Sequence, residues 1–253
     1  MEFLTLNQSN YAIYIGLLVA ATVVLAVYKD WLLLTPALVI QFFVLSVIAN
    51  SQNGTAERVM LGSVPLAIFL KTMSGVIAAL IIFLTGYAII FERRRVKKVE
   101  AAAEAAGEGG LRRFFYRQEI AILFRFRYID YLLPIGTSMI AAAATYACAT
   151  LLPFSGNFLG DFAFFWLFSM GIAVMVVGQD ILKLGMGLLT ALNGADLLYS
   201  LLRSGDSPLV LGFSAAITIL LALLTSYLAI IFYTKLNTLN LNEAFKARRK
   251  KIE

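Results

Sequence analysis

The chain of 253 residues contains no histidine and a single cysteine, and only 14% of its residues are charged. Without histidine there is no imidazole general base, no Ser-His-Asp triad and no histidine-ligated haem or zinc. A single cysteine excludes a CxxC motif, an intramolecular disulfide and ligation of an iron–sulfur cluster by this chain alone. Soluble domains carry about 25% charged residues, whereas 60% of this chain is apolar. The composition therefore excludes a water-soluble enzyme and predicts a polytopic membrane protein with no catalytic residues, metal site or cofactor of its own.

Long apolar segments predict about seven transmembrane helices, because a helix needs about 20 mostly apolar residues to cross roughly 30 Å of hydrocarbon. The predicted spans are 11–28, 31–49, 72–91, 131–152, 162–178, 183–202 and 209–233. The apolar run 61–71 before the third span contains Pro65, and we expect it to lie along the outer interface or to enter as a broken half-helix. Small residues such as Gly16 and Gly171 are expected to let helix backbones approach. The predicted fold is an all-α transmembrane helix bundle.

The distribution of lysine and arginine predicts the orientation of this bundle. With the N-terminus outside, all but three of the 21 basic residues fall on the cytoplasmic side. The three exceptions are Arg58, Lys71 and Arg203. The positive-inside rule therefore places the N-terminus outside and the C-terminus in the cytoplasm. We expect a multi-pass protein of the inner (cytoplasmic) membrane, of bacterial or archaeal origin.

The chain divides into a three-helix part (1–91), a cytoplasmic basic linker with an amphipathic segment (92–130), the fourth span (131–152), a second three-helix part (160–243) and a basic tail (244–253). An Ala/Glu/Lys run after residue 92 can prolong the third helix until the glycines at 107 to 110. The linker is either a docking arm or, as we favour, a solvated segment in contact with anionic lipids. Five arginines alternate with apolar residues in 111–130, which favours a helix in the membrane interface over a nucleic-acid surface.

Four ionisable residues in or beside the spans are candidate proton-relay residues, because charges within a membrane are costly and usually mark ion paths or buried pairs. They are Asp196, Lys183, Lys71 and Asp180. Asp196 is either a protonatable relay residue or a hydrogen-bonded residue that locks helices together. Lys183 is a relay residue or, as we favour, a side chain that snorkels to the interface. Lys71 is either a buried relay lysine or an interfacial anchor.

Residues 162–243 carry a pattern of a known family. Two helices are joined by the short polar turn Gly178-Gln179-Asp180, and a third helix is followed by TKLNTLNLNE. The segment resembles the small three-helix K-type subunit of respiratory complex I, the C-type subunit of multisubunit cation/proton antiporters and the E-type component of membrane-bound hydrogenases. A Gly-x-Glu-x-x-x-Asn-like pattern opens the second helix of that family, and Gly187 and Asn193 occupy its glycine and asparagine places. Residues 238–243 look like its tail motif.

The same resemblance implies that the two proton-relay glutamates of the family are absent here. The glutamate of the second helix falls on Leu189, and that of the third helix falls near Leu221. Asp196 lies seven residues from Leu189, two turns along the same helix face, where it can supply a displaced carboxylate. Residues 1–152 have no counterpart in the three-helix subunit, but the hydrogenase component carries additional helices before its K-like part.

The resemblance implies a non-catalytic membrane subunit of a complex of the NADH:quinone oxidoreductase or hydrogenase type. Such a subunit would pack against antiporter-like subunits and border a proton or cation path. Two alternatives stay open: an independent secondary transporter, and a membrane scaffold or assembly protein. An independent secondary transporter is expected to have two broken helices at corresponding positions of its repeats. The sequence shows no second break to match the one at Pro65. Four ionisable candidates are too few for a complete relay, so we expect an obligate partner.

Overall fold

The computed structural model of the chain describes residues 8–28, 31–52, 60–61, 64–105, 129–202, 208–236 and 239. Within these residues it contains seven helices and one pair of two-residue strands. The elements are α1 (Gln8–Val27), α2 (Trp31–Gln52), β1 (Met60–Leu61), β2 (Val64–Pro65), α3 (Leu66–Ala105), α4 (Ile129–Leu151), α5 (Phe158–Val177), α6 (Ile181–Leu202) and α7 (Pro208–Leu236). The predicted helical bundle is confirmed. Most of the amphipathic segment 111–130 and of the tail motif, and all of the basic tail, lie outside the described residues.

Six of these helices, α2 to α7, are long and apolar enough to cross a membrane. α1 carries a shorter apolar stretch, Tyr11–Val27. A helix satisfies its backbone hydrogen bonds internally, which is what a segment surrounded by hydrocarbon requires. The chain is therefore a multi-pass helix bundle of the integral-membrane kind, and its orientation stays a prediction.

The segment before the third span differs from both predicted forms. Met60 pairs with Pro65 and Leu61 with Val64 as a short antiparallel ladder, and α3 begins directly after it at Leu66. The expectation of a separate interfacial or broken segment over 61–71 is wrong. Proline has a fixed φ that suits the start of a helix, so Pro65 stands at the helix start and leaves α3 continuous. The predicted helical extension is confirmed as far as Ala105, and its cytoplasmic location stays a prediction.

The fifth span also begins earlier than predicted. α5 starts at Phe158, four residues before the predicted residue 162. Asn157 is its N-cap, and the Asn157 side chain accepts a hydrogen bond from the backbone N–H of Leu159. An asparagine cap satisfies a backbone donor that the first turn leaves unpaired. The connection to α6 is three residues long, as predicted for the turn at 178–180.

Six helices pack as a ring in the order α1, α2, α3, α7, α6 and α5, with α5 returning to α1. α2 and α6 also touch across the ring, and α4 packs outside it against α5 and α1. Of the residues in each candidate membrane span, 72% are buried inside the bundle in α2 and 61% in α6, but only 28% in α4 and in α7. α2 and α6 are therefore the interior helices, and the polar side chains of α6 face other helices rather than lipid.

Glycines bring α5 and α6 into close contact. A Cβ atom added at Gly171 of α5 would lie 2.5 Å from the backbone nitrogen of Ala191 on α6. One added at Gly187 of α6 would lie 2.9 Å from the carbonyl oxygen of Gly171. The predicted packing role of Gly171 is confirmed. The same prediction for Gly16 is wrong, since beyond its own helix no described atom lies within 4 Å of its Cβ position.

The substitution Gly171→Ala should lower stability, because its methyl group meets the backbone of α6, which cannot move aside. Overpacking of this kind costs about 1–3 kcal/mol. Gly16→Ala is the matched control, and better helix propensity should make it up to about 1 kcal/mol more stable. Thermal unfolding of both variants in mild detergent measures the difference. Equal unfolding midpoints for the two variants would contradict the close approach of α5 and α6.

Candidate functional site

Two of the predicted relay residues form a buried ion pair. Lys71 of α3 and Asp196 of α6 lie with Nζ 3.0 Å from Oδ2, and their side chains are 5% and 15% exposed. In the ring, α7 lies between the two helices that carry these residues. The pair therefore joins two helices across the interior of the bundle. The geometry fits the prediction of a buried Lys71 and not that of an interfacial anchor.

Two serines add hydrogen bonds to the ion pair. Lys71 Nζ donates a hydrogen bond to Ser200 Oγ at 3.1 Å, and Ser214 Oγ of α7 donates one to Asp196 Oδ1 at 3.0 Å. Both carboxylate oxygens thus have a partner, and α3, α6 and α7 meet in one cluster. Burying charges costs several kcal/mol per ion, and good geometry with further hydrogen bonds is what offsets this cost.

The ion pair lies at a moderate depth in the bundle. Lys71 is five residues after the start of α3, Ser214 is six after the start of α7, and Asp196 is six before the end of α6. At 1.5 Å per residue the cluster lies about 8 to 9 Å below the helix ends. All three of these ends are on the side predicted to face outside.

Lys183 lies at the other end of α6 and contacts α1. Its Nζ donates hydrogen bonds to the carbonyl oxygens of Ala26 at 2.7 Å and of Tyr28 at 3.1 Å. The last carbonyls of a helix lack partners within the helix and carry partial negative charge, so a cation there is stabilising. Lys183 is 8% exposed. Its ammonium group thus binds the end of α1, and its snorkelling to the membrane interface stays a prediction.

The four relay candidates therefore do not form one cluster. Asp180 is half-buried in the turn before α6, where its backbone carbonyl accepts a hydrogen bond from the N–H of Leu184 at 3.0 Å. It lies near Lys183 in the chain, whereas Asp196 is thirteen residues further along α6, about 20 Å away. The structure brings Lys71 and Asp196 together and places Lys183 and Asp180 at the opposite end of the bundle.

The positions singled out by the family pattern lie within the bundle. Gly187 is at the close contact with α5 described above, and Asn193 is 3% exposed. Leu189 is fully buried in the apolar core, and Leu221 is half-buried against it. Both positions of the absent glutamates are thus apolar contacts between helices.

Several polar residues of the site were not predicted from the sequence. Ser200 is one helical turn beyond Asp196, and this spacing on one face was a usable signal. Ser214 gave no such signal, since its contact depends on how α7 packs. Asp161 was also missed: it is fully buried and accepts hydrogen bonds from the backbone N–H groups of Phe154 and Ser155, each at 3.0 Å. It orders the loop before α5 and has no contact with the ion pair.

No family model, curated protein or solved structure matches the chain. Among the described residues, no group of three or more Asp, Glu, Cys or His side chains is placed to hold a metal ion. The chemistry offered by the ion pair is proton transfer at the carboxylate of Asp196 or the ammonium group of Lys71. The resemblance of residues 162–243 to the K-type family stays a prediction.

A double-mutant cycle tests the ion pair. Lys71→Met and Asp196→Leu each leave one charge buried without its partner, and each should cost about 3–5 kcal/mol of stability. The double variant replaces both charges by apolar groups and should return to near the stability of the parent. Unfolding in mild detergent gives the three values. If the double variant instead loses as much stability as the two single variants together, the charges do not interact.

Proposed function

We propose that this chain is a non-catalytic integral membrane subunit of a complex I-like or hydrogenase-like energy-converting complex. It would pack against antiporter-like subunits and border a proton or cation path. The proposal joins the sequence resemblance of residues 162–243 to one structural observation, the buried pair of Lys71 and Asp196 with its two serine partners.

An ion pair inside a membrane bundle needs a reason beyond stability. Well-packed apolar residues of similar volume are often as stabilising as a buried pair, or more so. Ionisable residues within transmembrane segments are rare and commonly mark ion or proton pathways. Net stability therefore does not explain the Lys71–Asp196 pair, and a role in charge movement does.

The chemistry of the pair suits such a role. A proton that reaches Asp196 neutralises the carboxylate and removes the attraction for Lys71, whose ammonium group keeps its hydrogen bond to Ser200 at 3.1 Å. Loss of that proton restores the pair. Proton movement in a neighbouring subunit could thus be coupled to making and breaking a single contact between α3 and α6.

The chain needs partners for a complete path. No Asp, Glu, Lys or Arg of the described helices lies between the level of the ion pair and that of Lys183, a separation of about 20 Å. A relay across the membrane requires further protonatable groups, which other subunits would supply. The apolar faces of α4 and α7 are available for these subunits, since only 28% of the residues in the candidate span of each helix are buried.

Purification from native membranes tests membership of a complex. A tagged chain extracted in mild detergent should copurify with antiporter-like subunits and with subunits of quinone-reductase or hydrogenase type, identified by mass spectrometry. Recovery of the chain alone, with transport activity in liposomes, would refute this assignment and favour the independent transporter.

The role of the ion pair is tested in the assembled complex. Asp196→Asn keeps the size of the side chain and a hydrogen-bonding group but removes its charge, so proton translocation per electron should fall severalfold while subunit composition stays the same. Glu92→Gln removes an exposed carboxylate of α3, at the end of its apolar span, and is the matched control. Unchanged translocation in Asp196→Asn would mean that the carboxylate is structural.

A further inference from the structure

Two amide side chains in the middle of the bundle have buried nitrogen atoms without partners. Gln41 of α2 is fully buried and Asn193 of α6 is 3% exposed. Neither Gln41 Nε2 nor Asn193 Nδ2 has a hydrogen-bond partner among the described residues. An unpaired donor in an apolar interior is costly, and most such groups in proteins are bonded to protein or to ordered water.

Thr190 contacts Gln41 but leaves both amide nitrogens without a partner. Its Oγ1 lies 2.9 Å from the carbonyl oxygen of Met186 and 3.3 Å from Gln41 Oε1. A hydroxyl has one proton to donate, and the shorter contact is the better one, so the oxygen of Gln41 keeps only a long, shared hydrogen bond. Asn193 is three residues from Thr190 on α6, a spacing that brings Cβ atoms to about 5–6 Å.

We propose that Gln41, Thr190 and Asn193 form a binding site for internal water at the centre of the bundle. As the two amides are oriented, the unpaired groups are N–H donors, so a ligand that accepts hydrogen bonds fits them better than a cation does. The ion pair of Lys71 and Asp196, three residues further along α6 than Asn193, carries no net charge and so does not favour an anion. A neutral molecule that both accepts and donates fits the amides and the hydroxyl together.

The site extends the polar region of the ion pair into the bundle. Thr190, Asn193 and Asp196 follow one another at intervals of three residues, slightly less than one helical turn. Their side chains therefore point in directions that turn stepwise around α6, from α2 toward α7. This places Asn193 between the amide of Gln41 and the carboxylate of Asp196. Water at this site would connect Asp196 with the middle of α6, about 9 Å further from the helix end than the ion pair. The proposal does not depend on membership of a complex.

Thiol exchange in D₂O tests the water site directly. The chain has one cysteine, so a Cys148→Ala background allows single thiols to be placed at chosen positions. Thr190→Cys and Asn193→Cys put a thiol in the proposed site. Leu25→Cys and Ile82→Cys are matched controls, since both side chains are buried in the apolar core on other helices, α1 and α3. Infrared spectra of the S–H stretching band then follow conversion to S–D.

The thiols at 190 and 193 should exchange at least about tenfold faster than the two controls, because exchange at a dry buried position waits for local opening of the structure. Equal rates at all four positions would overturn the proposal. Thr190→Cys is the smaller change and decides the result when Asn193→Cys does not give a monodisperse protein. Because the measurement uses the isolated chain and water as the probe, its outcome is separate from that of the copurification.

Discussion

The pairing of Lys71 with Asp196 is the constraint on which the arrangement of α3, α6 and α7 depends. The two charges are on helices that are not neighbours in the ring, and Ser214 adds the third helix to the same contact. A shift of any of these helices by one turn, about 5.4 Å, would separate the atoms and leave a charge buried without a partner. Such a state is far less stable than the paired one. The pair therefore selects one register for three long helices, whose apolar surfaces alone would distinguish only weakly between registers.

α6 connects the different parts of this structure. At one end Lys183 binds the last carbonyls of α1, and at the other Asp196 binds Lys71 of α3. Between them, Gly187 allows close contact with α5 and Thr190 reaches Gln41 of α2. An interior helix of this kind carries polar groups toward its neighbours because lipid cannot satisfy them. Helices α4 and α7 have the opposite character, with wide exposed apolar faces.

The number of helices and most of their ends followed from the sequence, because hydrocarbon thickness fixes the length of an apolar span. Lys71 and Asp196 were each identified, since a charge in such a span is conspicuous. Their pairing was not predicted: it joins residues 125 positions apart in the chain and depends on the order of helices in the ring. The partners of Lys183 were missed for the same reason. The carbonyls of Ala26 and Tyr28 are backbone groups, which every residue has, so they give no signal in the sequence. The prediction for residues 61–71 was wrong because a proline such as Pro65 suits the start of a helix as well as a break within one.

The central claim is that Asp196 is ionised and bound to the ammonium group of Lys71 inside the bundle. Infrared spectroscopy of the chain with ¹³C-labelled aspartate, at neutral pH in membranes or mild detergent, tests it most directly. Comparison with Asp196→Asn isolates the signal of this one carboxyl group. The account predicts a loss of carboxylate absorption in the variant and no loss in the region of protonated carboxylic acids. A protonated carboxylic acid band that disappears in Asp196→Asn would contradict the ion pair.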